Sequence, residues 1–285
     1  MKLSIILVNW NTKDLTRDAL VSIFDQTKNI EFEVIVVDNN SGDGSVEMIK
    51  KEFSQVILIE NKENRGFGKA NNQGLAAARG EYLMFLNTDV RVLNGAINTL
   101  VDYLDKNSSV MMVGPRLLNA DMSFQHACRR NLPNPLNSFF HLFGLVKIFK
   151  HNEIINSYKQ FTADPEVTGP VEAISGAAML FRRQVYEEIG GFDERFFMYG
   201  EDLDFCKRIF DKGWGVVYVS NAKIIHFGGQ SSKKRKVQSL RNFYEAMWIY
   251  YKKHFAPKQF FLVNIAVWLA IKIKLFIAVM INYLK

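Results

Sequence analysis

The sequence of 285 residues is 48% apolar and 23% charged, a composition that excludes a disordered chain and indicates a folded globular protein. A chain of this length can bury a large core in one domain or two. Its N-terminus has one lysine and a short apolar run, but Asn9, Asn11 and Asp14 replace the small residues of a signal-peptide cleavage site. We therefore expect a first core strand there.

Charge is distributed unevenly around the net value of +7. Residues 231–285 contain eleven Lys or Arg side chains and one acid, Glu245, whereas residues 1–230 contain 25 basic and 28 acidic side chains. This asymmetry indicates an anionic partner for the tail, either nucleic acid or a membrane surface. Because the tail is as apolar as it is basic, we expect a membrane surface and no nucleic acid.

Buried strands and helices alternate along the N-terminal third of the chain. Short apolar runs that alternate with helical patterns are typical of a parallel sheet with helices on both faces. In such sheets ligands bind beyond the carboxyl ends of the strands, so we expect Asn9, Asp38 and Asp89 to lie close together. The predicted strands are 3–8, 33–38, 55–60 and 82–87, and the predicted helices are 14–26, 45–53 and 68–80.

The second half of the chain is less regular. Residues 120–170 contain prolines followed by an aromatic-rich apolar segment, and no element is assigned there. The patterns that follow predict a strand at 177–183, a short helix before Gly190 and Gly191, a helix at 201–213, and two strands at 215–220 and 222–227.

Asp38 opens the strand-end segment DNNSGDGS, for which two interpretations are open. The segment can be a simple strand-to-helix connection, or its carboxylate can accept hydrogen bonds from a ribose or a base N–H. A second segment, NRGFGKANNQG, lacks both the P-loop and the dinucleotide-binding fingerprints. In that segment Gly66 can shape a helix entry, and Arg65 can reach a diphosphate.

Two polar residues, Asn87 and Asp89, follow the fourth strand in FLNTDV. Mg²⁺ prefers oxygen ligands and binds proteins through one or two carboxylates together with substrate phosphates. A turn residue and a metal ligand are both open interpretations of Asp89. His226 ends a later predicted strand before a Gly-Gly turn, and it is either a structural residue or a further ligand.

Three acids, Glu201, Asp202 and Asp204, begin a predicted helix in MYGEDLDFCKR. Acids in the first turn complement the helix dipole, and each such interaction stabilises a helix by about 0.3–1 kcal/mol. One acid suffices for that role, and three like charges repel each other. A carboxylate at the mouth of a crevice can instead act as the general base that removes a proton from an attacking hydroxyl.

Seven segments together resemble the family 2 glycosyltransferases with the GT-A fold, in particular the bacterial rhamnosyltransferase-like group of cell-surface polysaccharide assembly. In chain order they are SIILVNWNTKD, VIVVDNNSGDGS, NRGFGKANNQG, YLMFLNTDV, ISGAAMLFRR, GGFDERFFMYGEDLDFCKR and IIHFGGQSS. The likeness covers residues 3–232. We therefore expect an α/β fold of the GT-A type, with a Rossmann-like, mostly parallel sheet and flanking helices, followed by a C-terminal amphipathic helical tail.

The resemblance implies transfer of a sugar, with L-rhamnose expected, from a dTDP- or UDP-sugar to a hydroxyl of a glycan or lipid-linked acceptor, with inversion of the anomeric centre. Asp202 would be the general base, and Glu201 would orient the base or the acceptor. Asp89 and His226 would bind Mg²⁺ or Mn²⁺, which assists the leaving diphosphate. The residues expected to bind the nucleotide sugar are Val8, Asn9, Asp38, Arg65, Gly66, Asn71, Asn87 and Thr88.

The sequence departs from the family pattern at Asn87, where the D-x-D metal motif often has Asp. With one carboxylate fewer, we expect cation binding to depend on the phosphates of the donor. Arg129, Arg130 and Ser231 could contact donor or acceptor phosphate, and arginines without a specific role are the alternative. We expect the contacts that select the sugar in the variable region 120–175.

The predicted catalytic domain covers residues 1–230, with a nucleotide-binding half at about 1–118 and an acceptor-binding half at about 119–230. Cys128 and Cys206 lack metal-type spacing and are expected to be reduced thiols. We expect a cytoplasmic enzyme bound peripherally to the inner face of the plasma membrane. The alternative functions are a non-catalytic sugar-nucleotide-binding or scaffold protein and a sugar nucleotidyltransferase, but the latter should have a Gly-rich phosphate loop where this chain has NWNTKD.

The basic tail has an apolar run from Phe260 to Ile271, which is shorter than the roughly 20 residues that a membrane span needs. Lys272 and Lys274 follow this run. We expect residues 233–285 to lie on an anionic membrane surface as an amphipathic helix or a helical hairpin. The aromatic residues expected near the boundary are Trp248, Trp268 and Tyr283. A membrane span and a dimerisation helix in a homo-oligomer are the alternatives.

Overall fold

The computed structural model describes residues 1–134, 164–228 and 236–283. The segment without assigned elements therefore lies partly outside the described residues, as do Ser231 and most of the basic run that begins at Lys233. The strands are β1 (Leu3–Asn9), β2 (Phe32–Asp38), β3 (Ile57–Glu60), β4 (Tyr82–Leu86), β5 (Val90–Val92), β6 (Val110–Leu118), β7 (Arg129–Arg130), β8 (Gly169–Pro170), β9 (Ala173–Ile174), β10 (Ala178–Arg182) and β11 (Gly215–His226). The helices are α1 (Lys13–Gln26), α2 (Ser45–Glu52), α3 (Phe67–Ala77), α4 (Ala96–Lys106), α5 (Arg183–Ile189), α6 (Glu201–Asp211), α7 (Lys236–His254) and α8 (Phe261–Tyr283).

One mixed sheet forms the centre of the fold. Its strand order is β3-β2-β1-β4-β10-β6-β11-β5, with β8 paired to β11, and β7 and β9 form a separate two-stranded sheet. The pairs β2–β3, β1–β2, β1–β4 and β6–β11 are parallel. Strand β10 is antiparallel to both β4 and β6, and β5 is antiparallel to β11. The mostly parallel α/β sheet predicted from the sequence is confirmed.

Helices cover both faces of this sheet because its strands are apolar on both sides. In β1, Ile5 packs in a buried cluster with α1, α2 and α4, whereas Ile6 packs in a second cluster with α3, α5 and α6. Successive side chains of a strand point to opposite faces, so a strand covered on both faces is apolar throughout. Cys128 and Cys206 lie one in each cluster as unpaired thiols.

Strand β11 differs from the prediction. The two strands expected at 215–220 and 222–227 form one strand, which pairs with β6 through a register irregularity between Val219 and Lys223. The two apolar runs are separated by a local change of register rather than by a turn, which an alternation pattern does not reveal. The end of β11 also pairs with β5, and this pairing fixes the position of His226 opposite Val90.

The C-terminal tail is a helical hairpin, one of the two arrangements predicted for it. Helix α7 packs on the α/β domain through Ala246 and Tyr250, which form a small buried cluster with Phe196. Helix α8 folds back along α7. Near the connection the Tyr251 hydroxyl donates to Asn264 Oδ1 (2.8 Å), and at the other end the last turn of α8 lies beside the first turn of α7.

Helix α8 is longer than the apolar run counted in the sequence. It continues through Lys272 and Lys274 to Tyr283, and its length and composition are sufficient to cross a membrane. Most of its large apolar side chains are exposed, from Phe261 to Tyr283. An exposed apolar surface of this extent marks an interaction site.

A cluster of ion pairs joins α7 to α6. Asp204 is fully buried, and its carboxylate contacts Arg208 Nε (2.9 Å), Lys253 Nζ (2.7 Å) and His254 Nε2 (2.8 Å). Lys253 also pairs with Asp193 (2.7 Å). Burial alone would raise the pKa of Asp204, but the hydrogen bond from His254 and the charges of Arg208 and Lys253 outweigh it and hold the pKa below its ordinary value.

Replacing Asp204 by alanine would remove the buried carboxylate that Arg208, Lys253 and His254 share. For Asp204→Ala we expect the free energy of unfolding to fall by about 3–5 kcal/mol, measured by urea denaturation. Asp211, on the same helix, has a half-exposed carboxylate that pairs with Lys207. The matched variant Asp211→Ala should lose about 0–1 kcal/mol. Equal losses in the two variants would contradict a stabilising role for the cluster.

Candidate active site

The carboxyl ends of β1, β2 and β4 meet in a hydrogen-bonded cluster. Asn9 Nδ2 donates to Asp38 Oδ2 (2.6 Å), and Asn9 Oδ1 accepts from Thr12 Oγ1 (2.8 Å). Thr12 Oγ1 in turn lies 3.1 Å from the hydroxyl of Thr88, the neighbour of Asp89. Two further side chains use the remaining hydrogen-bonding capacity of Asn9. The three strand ends are close together, as expected, and the side-chain amide of Asn9 links them through its hydrogen bonds.

Asp89 and His226 face each other where β5 pairs with β11. Val90 lies opposite His226, and the Phe227 N–H donates to the Asp89 carbonyl (2.8 Å). As a result, His226 Nε2 lies 3.3 Å from Asp89 Oδ1 and 3.5 Å from Asn87 Nδ2. The residues expected at the metal and the diphosphate are thus brought together.

Gln125, which the sequence did not single out, contacts the other side of the His226 ring. Its amide nitrogen donates to the His226 carbonyl (2.6 Å) and to Asn119 Oδ1 (2.9 Å), and its oxygen lies 3.0 Å from His226 Nδ1. Nδ1 then carries the proton, and the Nε2 lone pair of a neutral imidazole is on the side of Asp89. In this neutral form the lone pair and the carboxylate oxygen repel each other unless a positive charge lies between them, whereas a protonated ring would pair with Asp89 directly.

This set of donors fits a divalent cation. It offers a carboxylate oxygen of Asp89, an imidazole nitrogen of His226 and Asn87 Oδ1, which is buried and has no hydrogen-bond partner among the described residues. Within residues 1–134, 164–228 and 236–283, no three His, Cys, Asp or Glu side chains converge into a metal site. A cation held here therefore needs further ligands from a substrate.

The turn before β10 connects this site to Asp202. The Ala177 carbonyl accepts from the Asn87 N–H (2.9 Å), and the adjacent Gly176 N–H donates to Asp202 Oδ2 (3.1 Å). Asp202 also accepts from Arg130 Nη2 (2.6 Å) and from the next backbone N–H of α6 (2.8 Å). A carboxylate has about four lone-pair sites, so one site remains for a further donor.

Glu201 is buried beside Asp202 at the start of α6. Burial, followed by the negative charge of Asp202, raises the pKa of Glu201 to about 8. Its Oε2 meets no hydrogen-bond partner in the described part of the chain. The raised pKa favours the neutral form of Glu201, which can donate a hydrogen bond.

The glycine-containing segment before α3 forms one wall near the strand ends. Gly66 has a φ of +83°, and a Cβ there would lie 2.7 Å from the Phe197 carbonyl, so this position requires glycine. Arg65 is half exposed, and its Nε lies 3.7 Å from a carboxylate oxygen of Glu63. Asn71 is buried, and its amide donates to a carbonyl one turn earlier in α3 (3.0 Å). Val8 is partly buried at the end of β1.

The two arginines of the segment CRRNLP have different surroundings. Arg130 lies at Asp202, within reach of an acceptor. Arg129 is buried, and its guanidinium lies over the Tyr218 ring (4.8 Å), so its charge faces the core rather than an open crevice. The position of Arg129 therefore gives no support to a phosphate contact. Ser231, the third residue of this group, lies outside the described residues.

The comparison with known families agrees with this geometry. The sequence matches the Glycosyl transferase family 2 model over residues 4–190 and the Glycosyl transferase family group 2 model over residues 141–284. The chain belongs to glycosyl transferase family 2. The first match includes Asp38, Asp89 and the turn at Gly176, and the second includes Asp202 and His226. The protein is therefore a glycosyltransferase.

Two similar family members are bacterial proteins. An N-acetylglucosaminyl-diphospho-decaprenol L-rhamnosyltransferase of Mycobacterium tuberculosis is 28% identical over 228 residues, which are 76% of this chain and 73% of the relative. The O-antigen biosynthesis protein RfbC of Myxococcus xanthus is 28% identical over 242 residues, which are 81% of this chain but 18% of the relative.

Two solved structures share the fold. GalNAc-T7 with UDP, GalNAc and Mn²⁺ has a TM-score of 0.60 and 16% identity, over 79% of this chain and 44% of that chain. Mannosyltransferase PcManGT from Pyrobaculum calidifontis with GDP-Man and Mn²⁺ has a TM-score of 0.59 and 17% identity, over 98% of this chain and 73% of that chain. These likenesses confirm the predicted GT-A fold.

The raised pKa of Glu201 makes the stability of this glycosyltransferase depend on pH. The folded state keeps the Glu201 proton up to about pH 8, whereas the unfolded state releases it near the ordinary pKa of 4.5, so this group lowers the free energy of unfolding as pH rises between these values. For Glu201→Gln we expect the slope to change by roughly 1 kcal/mol per pH unit between about pH 6 and 7.5. Urea denaturation of both proteins measures it, and identical slopes would show that Glu201 is already ionised.

Proposed function

We propose that this glycosyltransferase transfers L-rhamnose from a dTDP- or UDP-linked donor to a hydroxyl of a lipid-linked glycan, with inversion of the anomeric centre. The proposal rests mainly on the contacts of Gly176 and Ala177, through which Asp202 and Asn87 are held by adjacent residues of one turn. The name of the Mycobacterium tuberculosis relative, a rhamnosyltransferase with a diphospho-decaprenol acceptor, supports this sugar and this class of acceptor.

The donor nucleoside lies, in this proposal, over the ends of β1 and β2. Each carboxylate oxygen of Asp38 already accepts one hydrogen bond, from Asn9 and from the Ser41 N–H. Two lone-pair sites remain for a ribose hydroxyl or a base N–H. Arg65, exposed before α3, contacts the donor diphosphate from the open side.

The donor diphosphate binds next to Asp89 and His226. Mg²⁺ or Mn²⁺ bound there supplies positive charge that stabilises the diphosphate as it leaves. The residues of this chain that would hold the cation are Asp89, His226 and Asn87, the last through its side-chain oxygen Oδ1. Because they include a single carboxylate, the donor phosphates must complete the set of ligands.

Asp202 removes the proton from the acceptor hydroxyl. The acceptor oxygen then attacks the anomeric carbon while the bond from that carbon to the diphosphate oxygen breaks. One displacement inverts the configuration and needs no nucleophile from the enzyme. Arg130 orients Asp202, and Glu201, whose pKa is raised by burial, adds little negative charge beside the base.

The variant Asp202→Asn removes the base with little change of shape. We expect kcat to fall by about 10²–10⁴-fold, while the affinity for the donor in the presence of Mn²⁺, measured by calorimetry, stays unchanged. Asp211→Asn, on the exposed side of the same helix, is the matched control and should keep both properties.

Normal transfer by the Asp202→Asn variant would show that another group is the base. Loss of donor affinity would indicate that Asp202 binds the donor. The same calorimetric titration of the wild-type protein, repeated with dTDP-rhamnose and with UDP-sugars, identifies the donor. Tightest binding of a donor other than dTDP-rhamnose would contradict the proposed sugar but not the role of Asp202.

The helical hairpin binds, in this proposal, to the inner surface of the plasma membrane, where a lipid-linked acceptor is held. Because α8 lies along α7, a spanning α8 would have to leave α7 or take the exposed Lys236, Arg241 and Lys252 into lipid. Charges inside a bilayer are costly. This arrangement favours a hairpin in the membrane plane, with the apolar face of α8 in the lipid and basic residues at anionic headgroups.

Charges on the exposed face of α8 should release the protein from lipid. With Leu269→Glu, Ile273→Glu and Phe276→Glu combined, we expect roughly 10-fold or greater loss of binding to phosphatidylglycerol-containing vesicles in sedimentation, because three apolar side chains would leave the lipid. Donor affinity should be unchanged, and deletion of residues 257–285 should have the same two effects. The matched control carries glutamate at three exposed apolar positions elsewhere, Val21, Val167 and Phe210. Equal vesicle binding by both triple variants would contradict the membrane role of α8.

A further inference from the structure

We propose that Gln125 is a positioning residue that holds His226 in the Nδ1–H tautomer, so that its Nε2 faces the cation and the donor diphosphate. This inference rests on the proposed function of the site formed by Asp89 and His226. Gln125 itself contributes no ligand. It acts through the ring of His226, which it contacts from the side opposite Asp89.

The orientation of the Gln125 amide is set by two acceptors. Its nitrogen lies 2.6 Å from the His226 carbonyl oxygen and 2.9 Å from Asn119 Oδ1, and neither of these oxygens can donate. The nitrogen must therefore face them, and the amide oxygen must face His226 Nδ1, at 3.0 Å. An amide oxygen is an acceptor only, so Nδ1 must be the protonated nitrogen.

The backbone of Gln125 is fixed by the sheet. Its N–H donates to the Leu117 carbonyl (3.0 Å), and the preceding Phe124 bridges to Leu118 at the end of β6. Leu118 is in turn paired with Ile225, the residue before His226. The distance between the amide and the ring is thus set by strand pairing.

The Nε2–H tautomer of His226 would make the cation site unavailable to a metal ion. With the proton on Nε2, which is the tautomer that a histidine side chain favours in water, His226 would donate to Asp89 Oδ1 across their 3.3 Å separation. That hydrogen bond would occupy both ligands at once. By accepting from Nδ1–H, Gln125 keeps the Nε2 lone pair available. Removing such a partner of a metal-bound histidine weakens metal binding by about 10–100-fold.

The test compares Gln125→Met, which keeps the length of the side chain but loses the acceptor, with Gln125→Glu, which keeps an acceptor for Nδ1–H. Ser123→Ala is the matched control, because it removes the hydrogen bonds of Ser123 to Asn119 Nδ2 and to Asp121 within the same turn, whereas both oxygens that accept from the Gln125 amide remain. The first readout is the tautomer of His226 in the metal-free protein, from long-range ¹H–¹⁵N correlations at about pH 8. The His226→Gln variant assigns the signal.

In the wild-type protein, Gln125→Glu and Ser123→Ala we expect the Nδ1–H tautomer, and in Gln125→Met we expect a shift toward Nε2–H. The second readout is the affinity for Mn²⁺ in the presence of UDP or dTDP, from electron paramagnetic resonance. Gln125→Met should weaken it by about 10–100-fold, and Ser123→Ala should leave it unchanged.

A wild-type tautomer and Mn²⁺ affinity in Gln125→Met would overturn the proposal. Equal losses in Gln125→Met and Ser123→Ala would also overturn it, because they would assign the effect to the turn as a whole. If the wild-type protein binds no Mn²⁺ with either nucleotide, the metal-assisted function fails. The tautomer comparison then decides the role of Gln125 by itself.

Discussion

The antiparallel insertion of β10 between β4 and β6 is the constraint on which the site depends. Its register sets Ala178 opposite Leu86, so that the turn before β10 extends just past the end of β4. At this turn the Ala177 carbonyl holds Asn87, and the N–H of the adjacent residue Gly176 holds Asp202. A Cβ on Gly176 would lie 3.1 Å from the Asp202 Cβ, closer than most such contacts, so glycine allows α6 to approach the turn. The position expected for the leaving group and the position expected for the base are therefore joined by adjacent residues, and neither depends on a long loop.

Helix α6 connects the candidate active site to the C-terminal hairpin. The three acids at its start have three different environments, which explains how like charges are tolerated so close together. Glu201 is buried and has a raised pKa, Asp202 is paired with Arg130, and Asp204 is buried beside cations that include Lys253 of α7. The same helix thus bears the proposed base, Asp202, in its first turn and binds helix α7 through Asp204, two residues later. The domain boundary at residue 230 stays a prediction, and the ion pairs of Asp204 with Lys253 and His254 cross it.

The sequence predicts the sheet and the strand-end residues well, because apolar alternation is a local signal and the ends of parallel strands always meet at one edge. It groups Asn9, Asp38 and Asp89 correctly for that reason. It does not reveal Gln125, because the contact with His226 joins residues that lie far apart in the chain through the β6–β11 pairing. The burial of Arg129 under its ring partners depends on the same long-range packing. In the tail, the lysines of α8 end the apolar run that is counted in the sequence. They do not end the helix, since lysine is a good helix former.

The replacement of a carboxylate by Asn87 has a thermodynamic consequence in the proposed mechanism. Two carboxylates and a histidine would bind a divalent cation by themselves, whereas Asp89, His226 and a neutral amide oxygen offer one negative charge. The donor diphosphate must then supply the remaining charge and ligands. Donor and cation consequently raise each other's affinity by the same factor, because their coupling free energy is reciprocal. Any change that disorders His226, including the loss of its bond to Gln125, would then weaken binding of the donor as well as binding of the metal. In this proposal, neither His226 nor Gln125 touches the nucleoside.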